Sequence, residues 1–322
     1  MSTTLPDDSG LPPKAVGAID IGSNSIHLTL ARVRDGRIEH IARLKDPARL
    51  AGELDARSNL SDRGIDRAVA TLGRFRDLAD VHHAALRATG TAALRAARNA
   101  QVLVDRAQAE AGVRVELITG HTEARLTYAG VRHGLPALAD ASMLCVDVGG
   151  GSTEVIVGKG PQVQAAFSAP VGSLVVTRRY IGTDPIPRRR VRNAQKAVEL
   201  ALESGLKLVN TVGFEHAIAT SGTIQRVARM ARMLRGNRNS NRSVHGMTLE
   251  AAEIDHIVDR LTRAATQPQR LCIPGMDPER ADTLLAGALI FQALARGLGI
   301  QRWLVSMSAL RTGLVLDIWR RG

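Results

Sequence analysis

Aromatic side chains are scarce: four Phe, two Trp and two Tyr make up 2% of 322 residues. Recognition of single-stranded nucleic acid normally rests on bases stacked against aromatic rings, so the composition argues against an RNA or DNA partner. Cysteine is scarcer. Only Cys145 and Cys272 are present, and Cys145 lies in an apolar run with the character of a core strand, so no disulfide framework is expected and a reducing, cytoplasmic setting is. No apolar run approaches the ~20 residues that a membrane span requires. The nine histidines show no zinc-site spacing, and His82 and His83 are adjacent. Residues 1–14, rich in Pro, Asp and Ser, have neither the apolar stretch of a signal peptide nor the arginines of a transit peptide, and are expected to form a disordered tail.

Lysine is nearly absent as well, with Lys14, Lys45, Lys159, Lys196 and Lys207 the only examples, yet the net charge is +12. Arginine carries almost all of that charge. Two readings are open: guanidinium forks gathering a polyanion without bases to stack, or arginine used wherever a solvated charge is tolerated. A hydrophobic content of 44% describes an ordinary globule, and the length accommodates two domains.

Two copies of one pattern stand out. Ala18-Ile19-Asp20-Ile21-Gly22-Ser23-Asn24-Ser25 and Cys145-Val146-Asp147-Val148-Gly149-Gly150-Gly151-Ser152-Thr153-Glu154 each run from an apolar segment through Asp into a glycine turn with hydroxyls, then into a second apolar segment. Each reads as a β-hairpin around a tight loop whose N–H groups and hydroxyls converge on an anion. Gly22, Ser23, Asn24, Ser25, Gly149, Gly150, Gly151, Ser152 and Thr153 are the candidate phosphate ligands. Asp147 and Asp20 sit between apolar neighbours at strand ends, where a charge is costly unless paired or coordinated, so both are candidates for a divalent cation or its waters. Glu154 returns across the hairpin to the same mouth, or else faces outward from its strand.

The first copy leads into a third strand (38–44), then a helix capped by Ser61 with apolar positions Ile65, Val69, Leu72 and Phe75, a strand at 84–88, a helix opening at Ala92, a helix at 100–111 and a strand at 113–118. The second restarts at Met143 with three strands, a helix after Ser173, a helix at 189–209 and a strand at 217–220. That strand ends in Ser221-Gly222-Thr223, which is either an anion site at a helix N-terminus or a plain N-cap. A βββαβα order appearing twice predicts an α/β fold of two actin-like (ribonuclease H-like) domains with a cleft between them. The boundaries expected are 15–128 with about 309–322 for the first domain and 129–308 for the second.

With Arg95 to Asn99, Glu123-Ala124-Arg125, Val244-His245-Gly246 and Glu279-Arg280-Ala281-Asp282 added to the two loops, the chain resembles the exopolyphosphatase and guanosine pentaphosphate phosphohydrolase (Ppx/GppA) family, a branch of the actin, hexokinase and Hsp70-like superfamily. The resemblance implies a Mg²⁺- or Mn²⁺-dependent hydrolase that removes terminal phosphate from inorganic polyphosphate, from guanosine pentaphosphate, or from both. It implies Glu123 as the water-activating base, Asp147, Glu154 and Asp20 as the metal side of the site, and Arg280 as a phosphate-binding guanidinium. Without the resemblance, a glutamate in this triplet is more often a helix-face salt-bridge partner of Arg125, and the resemblance reverses that weighting. Ending at Gly322, the chain corresponds to the short, two-domain form; a homodimer is open. Arg229, Arg232 and Arg235, at a spacing of three on one helix, suggest a ridge guiding a polyanion toward the cleft, or a solvated face. A superfamily kinase and a non-catalytic polyphosphate or alarmone binder are the alternatives from other classes.

Overall fold

The computed structural model describes residues 14–237 and 242–321; the expected tail, apart from Lys14, lies outside them. Two sheets organise the chain. The first holds β1 (Ala15–Ile21), β2 (Ile26–Arg34), β3 (Arg37–Asp46), β4 (Ala85–Gly90) and β5 (Val115–Leu117) in the order β3-β2-β1-β4-β5. The second holds β6 (Ser142–Val148), β7 (Thr153–Lys159), β8 (Gln162–Ala169), β9 (His216–Thr220), β10 (Thr248–Glu250) and β11 (Arg302–Val305) in the order β10-β11-β9-β6-β7-β8. Within each, the first three strands form an antiparallel meander and the next joins in parallel through a helical crossover.

The helices on the first sheet are α1 (Asp62–Val81), α2 (Ala92–Ala96) and α3 (Ala100–Ala111), which close one apolar core with Ile19, Ile21, Leu28 and Leu30. Ser61 caps α1 by accepting the Gly64 N–H at 3.1 Å, and Ile65, Val69, Leu72 and Phe75 all face inward. On the second sheet, α5 (Ser173–Val176), α6 (Arg188–Val212), α7 (Gly222–Leu234), α8 (Ala251–Arg263) and α10 (Leu284–Leu298) form the larger core, with α9 (Gln267–Leu271) at its margin. Each repeat is longer than the βββαβα order, because a further strand and helix follow: β5, within the strand expected at 113–118, with α4 (Gly120–Gly134), and β11 with α11 (Leu310–Arg321). Among the described residues no helix is long and apolar enough to cross a membrane.

The helices that end the two repeats, α4 and α11, join the halves. Met143 and Cys145 of β6 pack beneath Ala124, Tyr128 and Val131 of α4, whereas Val16 and Ala18 of β1 pack beneath Leu310, Leu314 and Val315 of α11. Where α4 and α11 cross, a Cβ on Gly313 would stand 1.9 Å from the Leu126 carbonyl oxygen, and one on Gly130 would stand 2.1 Å from that of Ala309. Glycine is required at both positions for the backbones to approach this closely.

Candidate active site

The pairing register brings the two loops together as related structures. In each, the first glycine N–H closes a tight turn: Gly22 donates to the Ser25 carbonyl at 3.1 Å and Gly149 to that of Ser152 at 2.9 Å. They abut across the cleft, since a Cβ on Gly151 would meet Ser23 Oγ at 2.7 Å. Along the sheets, Asp20 stands opposite Thr89 on one side and His27 on the other, with Lys45 beyond His27. The corresponding row in the second sheet is Thr220, Asp147, Glu154 and Ser168.

One cleft is lined by Asp20, Gly22, Ser23, Asn24, Ser25, Glu123, Asp147, Gly149, Gly150, Gly151, Ser152, Glu154, Ser221, Gly222, Thr223 and Arg280, so the structure brings nearly all the sequence candidates to one place. Glu154 does not face outward; it is 2% exposed and accepts hydrogen bonds from Ser152 Oγ at 2.6 Å and Ser168 Oγ at 2.8 Å. Glu123 sits in the first turn of α4, where Thr119 caps the helix by accepting the Thr122 N–H. Its partner is Arg95 at 2.6 Å, not Arg125, which is exposed. Arg95 also donates to the Ile118 carbonyl, fixing the guanidinium that holds the glutamate.

Burial dominates the electrostatics. It raises Asp20 to about 7, with Arg311 opposing and Glu123 reinforcing the shift. It raises Asp147 to about 7, reinforced by Glu123 and Asp20 and opposed by Arg311. Glu154 rises to about 8 through burial and the nearby Glu123. Burial also raises Glu123, against the pull of Arg95. Such a cluster favours a divalent cation or a proton among its members. Among the described residues, however, no three His, Cys, Asp or Glu side chains gather closely enough to ligate one ion. The donor set instead suits an ion of the Mg²⁺ type, which keeps several waters and takes one or two carboxylates together with substrate phosphate oxygens.

Some expectations need correction. Thr153 does not reach the cleft: strand alternation turns it away from Glu154 into the core, where its hydroxyl donates to the Val171 carbonyl. The Ser221 hydroxyl is occupied as a helix cap, accepting the N–H groups of Thr223 and Ile224, although Ser221 itself holds a strained φ of 105° at the cleft wall. Thr223 Oγ1 donates to the Val148 carbonyl. The arginine ridge is not formed. Arg232 is buried and donates to the Arg242 and Ser243 carbonyls, Arg235 forms an ion pair with Glu253, and only Arg229 is left as an exposed residue of the three without an ion pair among the described residues; none lines the cleft. His245 fixes its loop, bonding through Nε2 to the Gly134 carbonyl at 2.9 Å and through Nδ1 to the Met307 N–H at 3.1 Å.

Two cleft residues had no sequence signal. His27, next to the Ser25 loop, and Arg311, in the first turn of α11, are joined by a 3.1 Å hydrogen bond from Arg311 Nη1 to His27 Nδ1. Burial, followed by the Arg311 charge, holds His27 down at about 3, so the ring is neutral. Arg280 reaches the cleft from the turn after Asp277, and with its amide oxygen turned toward it Asn24 accepts from the Arg280 guanidinium at 3.0 and 3.2 Å.

The sheets and the shared cleft define a two-lobed protein of the actin-like class. Within that class, the chain belongs to the Ppx/GppA phosphatase family, which it matches over residues 29–321. It is 31% identical over 307 residues to "Exopolyphosphatase 1" of Mycobacterium tuberculosis, covering 94% of this chain and 87% of that protein. It is 31% identical over 310 residues to "Guanosine-5'-triphosphate,3'-diphosphate pyrophosphatase" of Photobacterium profundum, covering 94% of this chain but only 58% of that protein's length. Among solved structures, an exopolyphosphatase from Cytophaga hutchinsonii aligns with a TM-score of 0.86 at 26% identity, covering 96% of this chain and 98% of that one. The Ppx/GppA family member from Aquifex aeolicus aligns with a TM-score of 0.81 at 27% identity, covering 96% and 99%.

Proposed function

We propose that this protein is a phosphoanhydride hydrolase that releases terminal orthophosphate from linear inorganic polyphosphate. The observation that carries this reading is the make-up of the cleft: two phosphate loops, four carboxylates and two guanidinium groups, with no Phe, Tyr or Trp among the described residues lining it. Phosphoryl transfer asks mainly for positioning and charge stabilisation. A purine would additionally call for a stacking surface, which favours polyphosphate over guanosine pentaphosphate. The relatives named above, one an exopolyphosphatase and one acting on the guanosine compound, support the class and leave both substrates within it.

Glu123 orients and deprotonates the attacking water. Burial raises its basicity while Arg95 fixes its carboxylate, which is the tuning a general base near neutral pH requires. The N–H groups of Ser23 and Asn24 and of Gly150 to Ser152 hold the phosphate oxygens, those of Gly22 and Gly149 closing the turns, and Arg280 adds a fork to the chain next along. Asp147, with Glu154 or Asp20, would hold Mg²⁺ or Mn²⁺, which would neutralise charge on the phosphoryl oxygens. The first domain limit expected, at 128–129, falls inside α4, whose Ala124, Tyr128 and Val131 pack on β6 of the second sheet, so it is placed ahead of that helix, at Thr119; the limit at 308–309 and a cytoplasmic location complete the proposal.

The test is orthophosphate release by purified protein offered long polyphosphate, short polyphosphate, guanosine pentaphosphate and ATP side by side, with and without Mg²⁺. Release from polyphosphate that needs Mg²⁺ and exceeds release from the other substrates is expected. Release from guanosine pentaphosphate alone would move the assignment to the alarmone.

A further inference from the structure

The two sheets present matched rows at the cleft, and the rows differ in charge. Thr89 and Thr220 correspond, as do Asp20 and Asp147, each pair holding the same place beside its loop. Past the Asp the symmetry breaks. The second sheet continues with Glu154 and Ser168, the first with His27 and Lys45. The helix packed on the second row contributes Glu123, and the helix packed on the first contributes Arg311. One half of a duplicated site has therefore become acidic and the other basic.

Arg311 is not consumed by the structure around it. Among the described residues no carboxylate lies within 4.0 Å of its guanidinium, and its one side-chain hydrogen-bond partner there is the neutral imidazole of His27, which uses a single N–H. Lys45 behaves differently, since its ammonium reaches Glu279 at 2.6 Å. A guanidinium at a cleft wall with most of its donors uncommitted fits the oxygens of a phosphoryl group.

Resting on the polyphosphatase reading, we infer that Arg311, oriented by His27, is the anion-binding half of the site and grips the terminal phosphoryl group, and hence the orthophosphate product, opposite the acidic row. Arg311 is then a catalytic residue that touches the reacting group, and His27 a positioning residue that acts through it. Arg280, held near Asn24, serves the phosphate next along the chain.

The experiment is equilibrium binding of inorganic phosphate, followed calorimetrically in excess chelator so that no metal bridges the anion to the carboxylates. Wild-type protein is expected to bind, Arg311→Met to bind at least tenfold more weakly, and Glu154→Gln to bind as well as wild type or better because a repelling charge is gone. Arg311→Lys keeps charge and bulk and serves if the Met variant does not fold; loss of the fork should weaken binding by threefold or more. For the positioning role, His27→Gln should lower kcat for polyphosphate with KM nearly unchanged. Undiminished phosphate binding by Arg311→Met or Arg311→Lys, or binding lost only in Arg280→Met, overturns the inference, as does absence of binding by the wild type. Failure of the polyphosphatase reading shows separately, as absence of phosphate release by the wild-type enzyme.

Discussion

Gly313→Ala tests the crossing that places both halves of the site. In an ordinary helix interior this substitution stabilises by about 1 kcal/mol, because alanine costs less backbone entropy than glycine. At Gly313 the added Cβ would lie 1.9 Å from the Leu126 carbonyl oxygen and 2.7 Å from its carbon. Both are backbone atoms of α4 and cannot rotate away. Relief requires α4 and α11 to separate by roughly 1–1.5 Å to restore ordinary contact distances. Overpacking of this kind costs about 1–3 kcal/mol and more where backbone must shift, so a net loss of about 2 kcal/mol remains after the propensity gain. The same displacement moves Glu123 on one helix against Arg311 on the other, and a misplacement near 1 Å costs on the order of 10²-fold in rate. The assay pairs a urea midpoint with phosphate release from polyphosphate. Gly73→Ala is the control, because its Cβ would meet only Ala111 Cβ, at 3.9 Å, within a helix of the same kind, and it should stabilise by roughly 0.5–1 kcal/mol. A Gly313→Ala protein with a raised midpoint and full turnover would refute the crossing as described.

Three further outcomes are expected. Chelation should abolish turnover and added Mg²⁺ restore it, with Asp147→Asn needing more Mg²⁺ for half-maximal rate; full activity in excess chelator would remove metal from the mechanism. His27 is held neutral down to about 3, whereas the unfolded chain takes up its proton near 6.5, so the unfolded state binds more protons between those values. Stability should therefore fall as pH drops through that window, by up to about 1.4 kcal/mol per pH unit from this group, and His27→Gln should flatten that part of the urea-midpoint profile relative to wild type; parallel profiles would contradict the burial. Arg232→Met leaves the carbonyls of Arg242 and Ser243 without their buried donor and should cost about 2 kcal/mol, while the salt dependence of polyphosphate hydrolysis stays at the wild-type slope; a flattened slope would reinstate the guiding ridge.

What the sequence discloses is what local chemistry determines. A glycine turn flanked by apolar runs has few conformations, so both loops, the Ser61 cap and the order of the first strands are legible in it, and with the family resemblance so is Glu123. Thr153 shows where a motif overrides a simpler rule: two adjacent strand residues cannot both face the cleft, and Glu154 is the one that does. The arginine spacing is ambiguous because a step of three residues says nothing about what covers the helix, and here the segment at Arg242 and Ser243 receives Arg232. Helix α10 has almost no polar face, since every residue from Leu284 to Ala295 is buried, and so lacks the amphipathic period that announces a helix. His27, Arg311 and Ser168 come to the site through strand register and a helix near the C-terminal end, which pairwise spacing along the chain does not reveal.

The most direct test of water activation in this cleft is Glu123→Gln, assayed by orthophosphate release from long polyphosphate at saturating Mg²⁺. The amide oxygen can still accept from Arg95, so position and packing are kept and only the basic carboxylate is removed. Turnover should fall by ~10²-fold or more, the scale of general-base catalysis, with polyphosphate binding little changed. Turnover close to that of the wild type would contradict the assignment of Glu123 as the base.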